Sequence, residues 1–189
     1  MGNGENSDGK GRFLCNRRKG SDVFLLPSKR HFLIEAELED DAHHMRLRMV
    51  VDNLSVKIQE IECEMIKIPD PVCEKAKKLL EGLVGKRVNP GLMKEFNGCS
   101  KEGCYHLKDL FQEACNAFIQ GQYTFAKEDL SARFPGITEE QLFKIIFWFR
   151  PEIKNSCLRY ADGAPFIQKV NETELPEGTE KLRALAANK

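Results

Sequence analysis

The hydrophobic pattern of this chain changes its period once, near Asp70, and this change constrains the fold more than any other feature. Upstream of Asp70, apolar residues alternate with polar ones in three runs, which predicts half-buried strands at 32–38, 45–51 and 56–68. A change of phase within the third run predicts a β-bulge near Glu60. Downstream, apolar residues recur every three or four positions, as in amphipathic helices. The order predicts an α+β fold, with an N-terminal three-stranded antiparallel meander packed on helices and a helical C-terminal half.

Capping residues and glycines predict where the helices begin and end. Asp70 followed by Pro71 predicts a helix that runs to about Gly85. A second helix is expected to begin near Cys104 and to end by Gly121, before a short helix over 127–134. Further predictions are a capping box of Thr138 and Gln141, a core-forming helix over 142–149 and a weak helix over 180–187.

The chain has 189 residues, which suggests one domain with appendages. Residues 1–24 are predicted to be a flexible N-terminal extension, glycine-rich at first and then basic. Residues 25–165 are predicted to form a single α+β domain. Residues 166–189 are predicted to be a polar C-terminal tail.

Charge and composition exclude several classes of partner. The 29 Lys and Arg residues balance 29 Asp and Glu residues, which argues against nucleic acid and against an anionic membrane surface. No apolar run approaches the ~20 residues of a membrane span, and the N-terminus lacks the pattern of a secretion signal, so we expect a cytoplasmic protein. No dinucleotide or P-loop motif is present, so no nucleotide cofactor is expected.

Seven cysteines in a chain without an export signal predict free thiols that are buried, reactive or metal-bound. Cys63 and Cys115 lie on apolar faces and are expected in the core. Cys15 lies in the basic arm and is interpreted as incidental. The roles of Cys99 and Cys157 stay open.

Two cysteines, Cys73 and Cys104, lie at predicted helix starts, where the helix dipole favours the thiolate. His106 follows Cys104 by two residues. His43 lies at the boundary between the turn and the second strand, at one edge of the predicted sheet. If both helix N-termini pack near that edge, these four residues form a ligand set for zinc or an iron–sulfur cluster. The alternative is that both cysteines are simply half-buried small residues.

Several short motifs resemble a bacterial family, the domain-of-unknown-function family 2889, from about residue 30 to 120. The motifs are Glu35-Ala36-Glu37-Leu38, His43-His44-Met45-Arg46-Leu47-Arg48, Pro69 to Cys73, Leu83-Val84-Gly85 and Gly103-Cys104-Tyr105-His106-Leu107. The resemblance favours His43 over His44 as a ligand and adds Cys157 as a candidate. It implies no established activity.

The order of strands, cysteines and helices is also similar, more distantly, to the U-type iron–sulfur cluster scaffold proteins. In that likeness Cys73 matches the middle cysteine and Cys104 the last one. The position of the first cysteine falls at 41–43, where this chain has no thiol, and Gly103 replaces a histidine. The likeness implies an analogous fold, with ligands at one edge of a small sheet.

The hypothesis that follows is a metal-binding protein with Cys73, Cys104, His43 and His106 as ligands of zinc or an iron–sulfur cluster. A second hypothesis is a non-catalytic module that binds an unknown protein partner through its helical C-terminal half, with Phe143, Phe147 and Trp148. A third is an enzyme with Cys104 as nucleophile and His43 or His106 as base. The oligomeric state is left open.

Overall fold

The computed structural model describes residues 12–96, 101 and 103–187, and the α+β class is confirmed. Four strands form one antiparallel sheet in chain order: β1 (Arg17–Leu25), β2 (His31–Asp40), β3 (His44–Asp52) and β4 (Ile58–Lys67). The helices follow as α1 (Lys78–Glu81), α2 (Leu92–Glu95), α3 (Tyr105–Arg133), α4 (Glu139–Phe149), α5 (Pro165–Glu172) and α6 (Glu180–Ala187).

The prediction of three strands is wrong by one, because β1 lies in residues that were expected to form a flexible arm. β1 pairs with β2 along its whole length, from Arg17 opposite Asp40 to Leu25 opposite Phe32. Only Ser21 and Val23 of this strand are partly buried, so its sequence lacks the apolar alternation that marks the other strands. Backbone pairing and contacts with α3 hold the strand instead.

The bulge predicted near Glu60 is confirmed at the start of β4. Val50 lies opposite Glu60 while Val51 lies opposite Ile58, so Gln59 is the extra residue. Because of this shift, apolar residues on both sides of the bulge are buried: Val56 and Ile58 before it, and Cys63 and Met65 after it. The phase change in the sequence therefore reflects a change of register that keeps one face of the strand in the core.

Helix α3 covers one face of the sheet, and its buried side chains meet those of β2 and β3 in a single core. The prediction that the helix ends by Gly121 is wrong, because α3 continues for 29 residues to Arg133. A Cβ atom at Gly121 would lie 2.5 Å from Cγ1 of Val23 in β1. Gly121 thus permits close contact between strand and helix rather than ending the helix.

The segment after β4 is less regular than predicted. Asp70 caps it as expected, accepting a hydrogen bond from the Val72 N–H at 2.8 Å. A 3₁₀ helix then spans Pro71–Lys77, and only Lys78–Glu81 is α-helical, so the predicted single helix to Gly85 is wrong.

The C-terminal half packs on the second part of α3. The capping box of Thr138 and Gln141 at α4 is confirmed, and so is the helix α6 at Glu180–Ala187. Phe143 and Phe147 are buried among Tyr123, Tyr160 and Phe166, so these two aromatic residues do not offer an exposed docking face. Cys63 and Cys115 are buried as predicted. Over the described residues, no helix combines the length and the apolarity needed to cross a membrane.

The contact between Gly121 and Val23 predicts that Gly121→Ala costs less stability when Val23 is shortened, which a double-mutant cycle measures. Gly121→Ala alone forces a shift of Val23, at about 1–3 kcal/mol, which outweighs or cancels the ~1 kcal/mol gain in helix propensity. Val23→Ala removes the Cγ1 contact and leaves the Cβ of residue 23 at 3.3 Å, so Gly121→Ala should be clearly less destabilising in this background. Urea unfolding measures all four variants. An equal effect of Gly121→Ala in both backgrounds would contradict the close packing of β1 on α3.

Candidate functional site

The candidate site lies at one end of the sheet, where β2 turns into β3 and α3 begins. Asp40 ends β2, and its backbone N–H donates to the carbonyl of His43 at 2.8 Å, which closes a tight turn. Oδ1 of Asp40 accepts hydrogen bonds from the backbone N–H groups of Ala42 at 2.9 Å and His43 at 2.8 Å. The aspartate side chain thereby folds back over its own turn, and its carboxylate is held in a fixed position.

Two histidine rings stack beside this carboxylate. Nδ1 of His43 lies 3.0 Å from Oδ1 of Asp40. His106, the second residue of α3, brings Nε2 to 3.8 Å from Oδ2 of Asp40. The two rings have centroids 3.7 Å apart and planes inclined by 28°. Each of the three residues offers a ligand atom within 4.8 Å of the other two, which makes them a group able to hold a metal ion.

The surroundings of this cluster favour a charged carboxylate and a neutral imidazole. Burial by itself raises the pKa of Asp40, but hydrogen bonds from Ala42 and His43 outweigh it and lower this pKa to about 2. Burial lowers the pKa of His106, and the charges of His43 and Arg17 lower it further. His106 therefore keeps a free lone pair near neutral pH, which is the form of histidine that binds metals.

A second set of contacts fixes β1 beside the cluster. Asp109, on the first turns of α3, binds Arg17 at 2.6 Å and Lys19 at 2.8 Å. Glu113, one turn further, accepts a hydrogen bond from the Ser21 hydroxyl at 3.0 Å. These contacts fix the start of α3 against the sheet and so fix the position of His106.

The structure brings together half of the predicted ligand set. His43 and His106 meet, and their partner is Asp40, while neither Cys73 nor Cys104 belongs to the group. Cys104 is the N-cap residue of α3 and Cys73 lies in the 3₁₀ helix; both are half-buried against the main core. A role for these two thiols stays a prediction.

The remaining candidates lie elsewhere. Cys157 is exposed in the C-terminal half, and Cys15 is exposed ahead of β1. Cys99 is outside the described residues. His44 binds Oε1 of Glu37 at 2.6 Å and takes no part in the cluster. The structure thus places the ring of His43, and not that of His44, next to His106.

Asp40 was not among the ligands predicted from the sequence. The signal was present in the spacing: an aspartate at the end of a strand and a histidine three residues later belong to one tight turn. Such a turn directs the carboxylate and the imidazole to the same place.

The fold and the site define an α+β protein with a cluster of one carboxylate and two imidazoles at the end of an antiparallel sheet. The family model for proteins of unknown function DUF2889 matches residues 23–120, which is more than half of the 189 residues. The chain therefore belongs to this family. The matched region contains Asp40, His43, Cys73, Cys104 and His106.

No curated protein and no solved structure matches the chain. The similarity to iron–sulfur scaffold proteins stays a prediction.

The lowered pKa of Asp40 predicts a specific pH dependence of stability. The folded-state pKa is about 2 against an ordinary value of 3.8, so the ionised carboxylate stabilises the fold above about pH 4 and loses this effect as the pH falls towards 2. Asp40→Asn keeps an oxygen acceptor for the turn but removes the charge. In chelator-treated samples it should be less stable than wild type above pH 4, and the difference in unfolding free energy should shrink towards pH 2. A difference that is constant across this range would contradict the assignment.

Proposed function

We propose that this protein binds one divalent transition-metal ion through Asp40, His43 and His106. The observation that carries the proposal is the convergence of their ligand atoms within 4.8 Å at the meeting point of β2, β3 and α3. One carboxylate and two imidazoles are a donor set that suits zinc and iron(II).

Burial and rigidity support the proposal. The side chains of Asp40, His43 and His106 are 15%, 12% and 25% exposed, so an ion there would be largely shielded from water yet reachable. All three residues lie on or next to regular elements, which hold ligands more precisely than long loops do.

A metal bound to Nδ1 of His43 would replace the hydrogen bond between this nitrogen and Oδ1 of Asp40. Zinc bonds of about 2.0–2.1 Å place tetrahedral ligand atoms roughly 3.4 Å apart, so donor atoms as far apart as 4.8 Å must approach by about 1.4 Å. Three protein ligands leave the fourth position for water or another small ligand, as in catalytic and transport sites.

The donor set also bears on the type of metal centre. Iron–sulfur clusters are held mainly by cysteine thiolates, and the converging residues are oxygen and nitrogen donors. We therefore propose a mononuclear ion, with zinc as the first candidate. Cys104 remains the cysteine nearest in sequence to a ligand, two residues before His106.

Titration calorimetry with Zn²⁺ on chelator-treated protein tests the proposal. We expect one ion per chain, and a loss of at least about 100-fold in affinity for His43→Ala and for His106→Ala. The chain has four histidines, and the other two serve as matched controls. His44→Ala and His31→Ala should bind zinc as wild type does.

The same titration separates the proposed set from the predicted cysteine set. If Asp40, His43 and His106 suffice, Cys73→Ser and Cys104→Ser change the affinity little. A large loss in Cys104→Ser would identify a fourth ligand. Absence of zinc binding in wild type, or equal losses in all four histidine variants, would refute the proposal.

A further inference from the structure

A cation of β1, Arg17, lies beside the proposed metal site. Arg17 is paired with Asp40 in the register of β1 and β2, while the backbone N–H of Asp40 binds the carbonyl of His43 on the other side. Directly paired residues point to the same face of a sheet, with Cβ atoms about 4.5–5.5 Å apart. Arg17 and His43 therefore flank Asp40 from opposite sides.

A contact with α3 holds the guanidinium of Arg17 in place. Nη2 of Arg17 lies 2.6 Å from Oδ2 of Asp109, which follows His106 by three residues and so lies on the same side of the helix. The charge of Arg17 is one of the causes that lower the pKa of His106, as expected for a guanidinium near this ring.

The guanidinium of Arg17 can bind a further group. It has five N–H donors, and its contact among the described residues is the one from Nη2 to Asp109. The Arg17 side chain is 38% exposed, so a ligand that enters from solvent can reach the remaining donors.

A bound divalent ion would leave positive charge at this end of the sheet. Asp40 supplies one negative charge against the two of the ion, and neutral imidazoles supply none. The neighbouring ion pairs balance each other, because Arg17 and Lys19 face Asp109 and Glu113. One positive charge stays uncompensated in a partly buried place, which favours a monoanion as the remaining ligand.

We propose that the open position of the ion takes the carboxylate group of a small ligand, and that Arg17 donates a hydrogen bond to this carboxylate. Both depend on the proposed function, because the bound ion supplies the position. One carboxylate oxygen would bind the ion and the other would accept from Arg17, whose planar donor groups match a carboxylate. Arg17 thus favours a carboxylate over a neutral ligand of the same shape.

Absorption spectroscopy of the Co²⁺-loaded chain tests the proposal, because the visible spectrum of Co²⁺ changes with its ligands. Nitrogen and oxygen donors that bind Zn²⁺ also accept Co²⁺. Acetate is the probe, and acetamide, its neutral analogue, is the control, both at constant ionic strength. We expect acetate to change the wild-type spectrum in a saturable way and acetamide to leave it unchanged.

Arg17→Gln should weaken the binding of acetate at least about tenfold, because it removes a hydrogen bond between two charged groups. The same variant should bind one Co²⁺ at least as tightly as wild type does. It removes a positive charge near the ion, while Lys19 still binds Asp109 at 2.8 Å.

Arg18→Gln is the matched control. Arg18 is the next residue of the same strand, is exposed and is paired with Glu39, so its side chain lies on the face of the sheet away from α3. The variant removes the same charge from the same strand and should bind acetate as wild type does.

Metal binding and carboxylate binding fail in different ways. If wild type does not bind Co²⁺, both the metal site and the carboxylate site are refuted. If one Co²⁺ binds but acetate leaves the spectrum unchanged, or acts no differently from acetamide, the carboxylate site alone is overturned. Equal acetate affinities of Arg17→Gln and Arg18→Gln would likewise overturn the role of Arg17 and leave the metal site intact.

Discussion

The packing of α3 across the sheet is the constraint on which the rest of the molecule depends. The first half of the helix fills the core with Leu107, Leu110, Phe111 and Phe118, and its second half supports the C-terminal helices through Leu130. Gly121 allows β1 to approach the helix closely. One continuous element therefore sets the position of the sheet, the edge strand and the C-terminal half.

The candidate metal site is a consequence of this packing. Asp40 and His43 belong to the turn between β2 and β3, while His106 comes from α3, some 60 residues later in the chain. They meet because the helix begins over that end of the sheet. Ion pairs of Asp109 with Arg17 and Lys19 fix this geometry from the other side. The turn also holds the Asp40 carboxylate in its charged form, since hydrogen bonds from Ala42 and His43 lower its pKa.

The parts of the fold that were predictable from the sequence are those with strong apolar periodicity. The alternation in β2, β3 and β4 and the phase change near Glu60 carried direct information on burial and register. β1 has no such pattern because its stability comes from backbone pairing and from contacts at its helix-facing side. Gly121 was interpreted as the end of a helix because glycine often ends helices. Its actual role is to make room for Val23, and this tertiary contact cannot be predicted from local sequence.

The site was half predictable for a similar reason. Histidines near strand and helix starts were predicted as ligands, and the structure places the rings of His43 and His106 in contact. Helix starts also suggested Cys73 and Cys104, but a position at a helix start does not determine which way a side chain faces. The Asp40 carboxylate belongs to a common type of turn, in which an aspartate accepts hydrogen bonds from its own backbone. Its place beside the two histidines depends on α3, which brings His106 close, and local sequence does not predict that contact.

Asp40, His43 and His106 are proposed to bind one metal ion. Anomalous diffraction at the zinc edge, from crystals grown with Zn²⁺, tests it most directly. We expect one strong peak at bonding distance, about 2.0–2.2 Å, from a carboxylate oxygen of Asp40 and a ring nitrogen of each histidine. A peak at Cys73 or Cys104 without these three residues, or no peak at this end of the sheet, would contradict it.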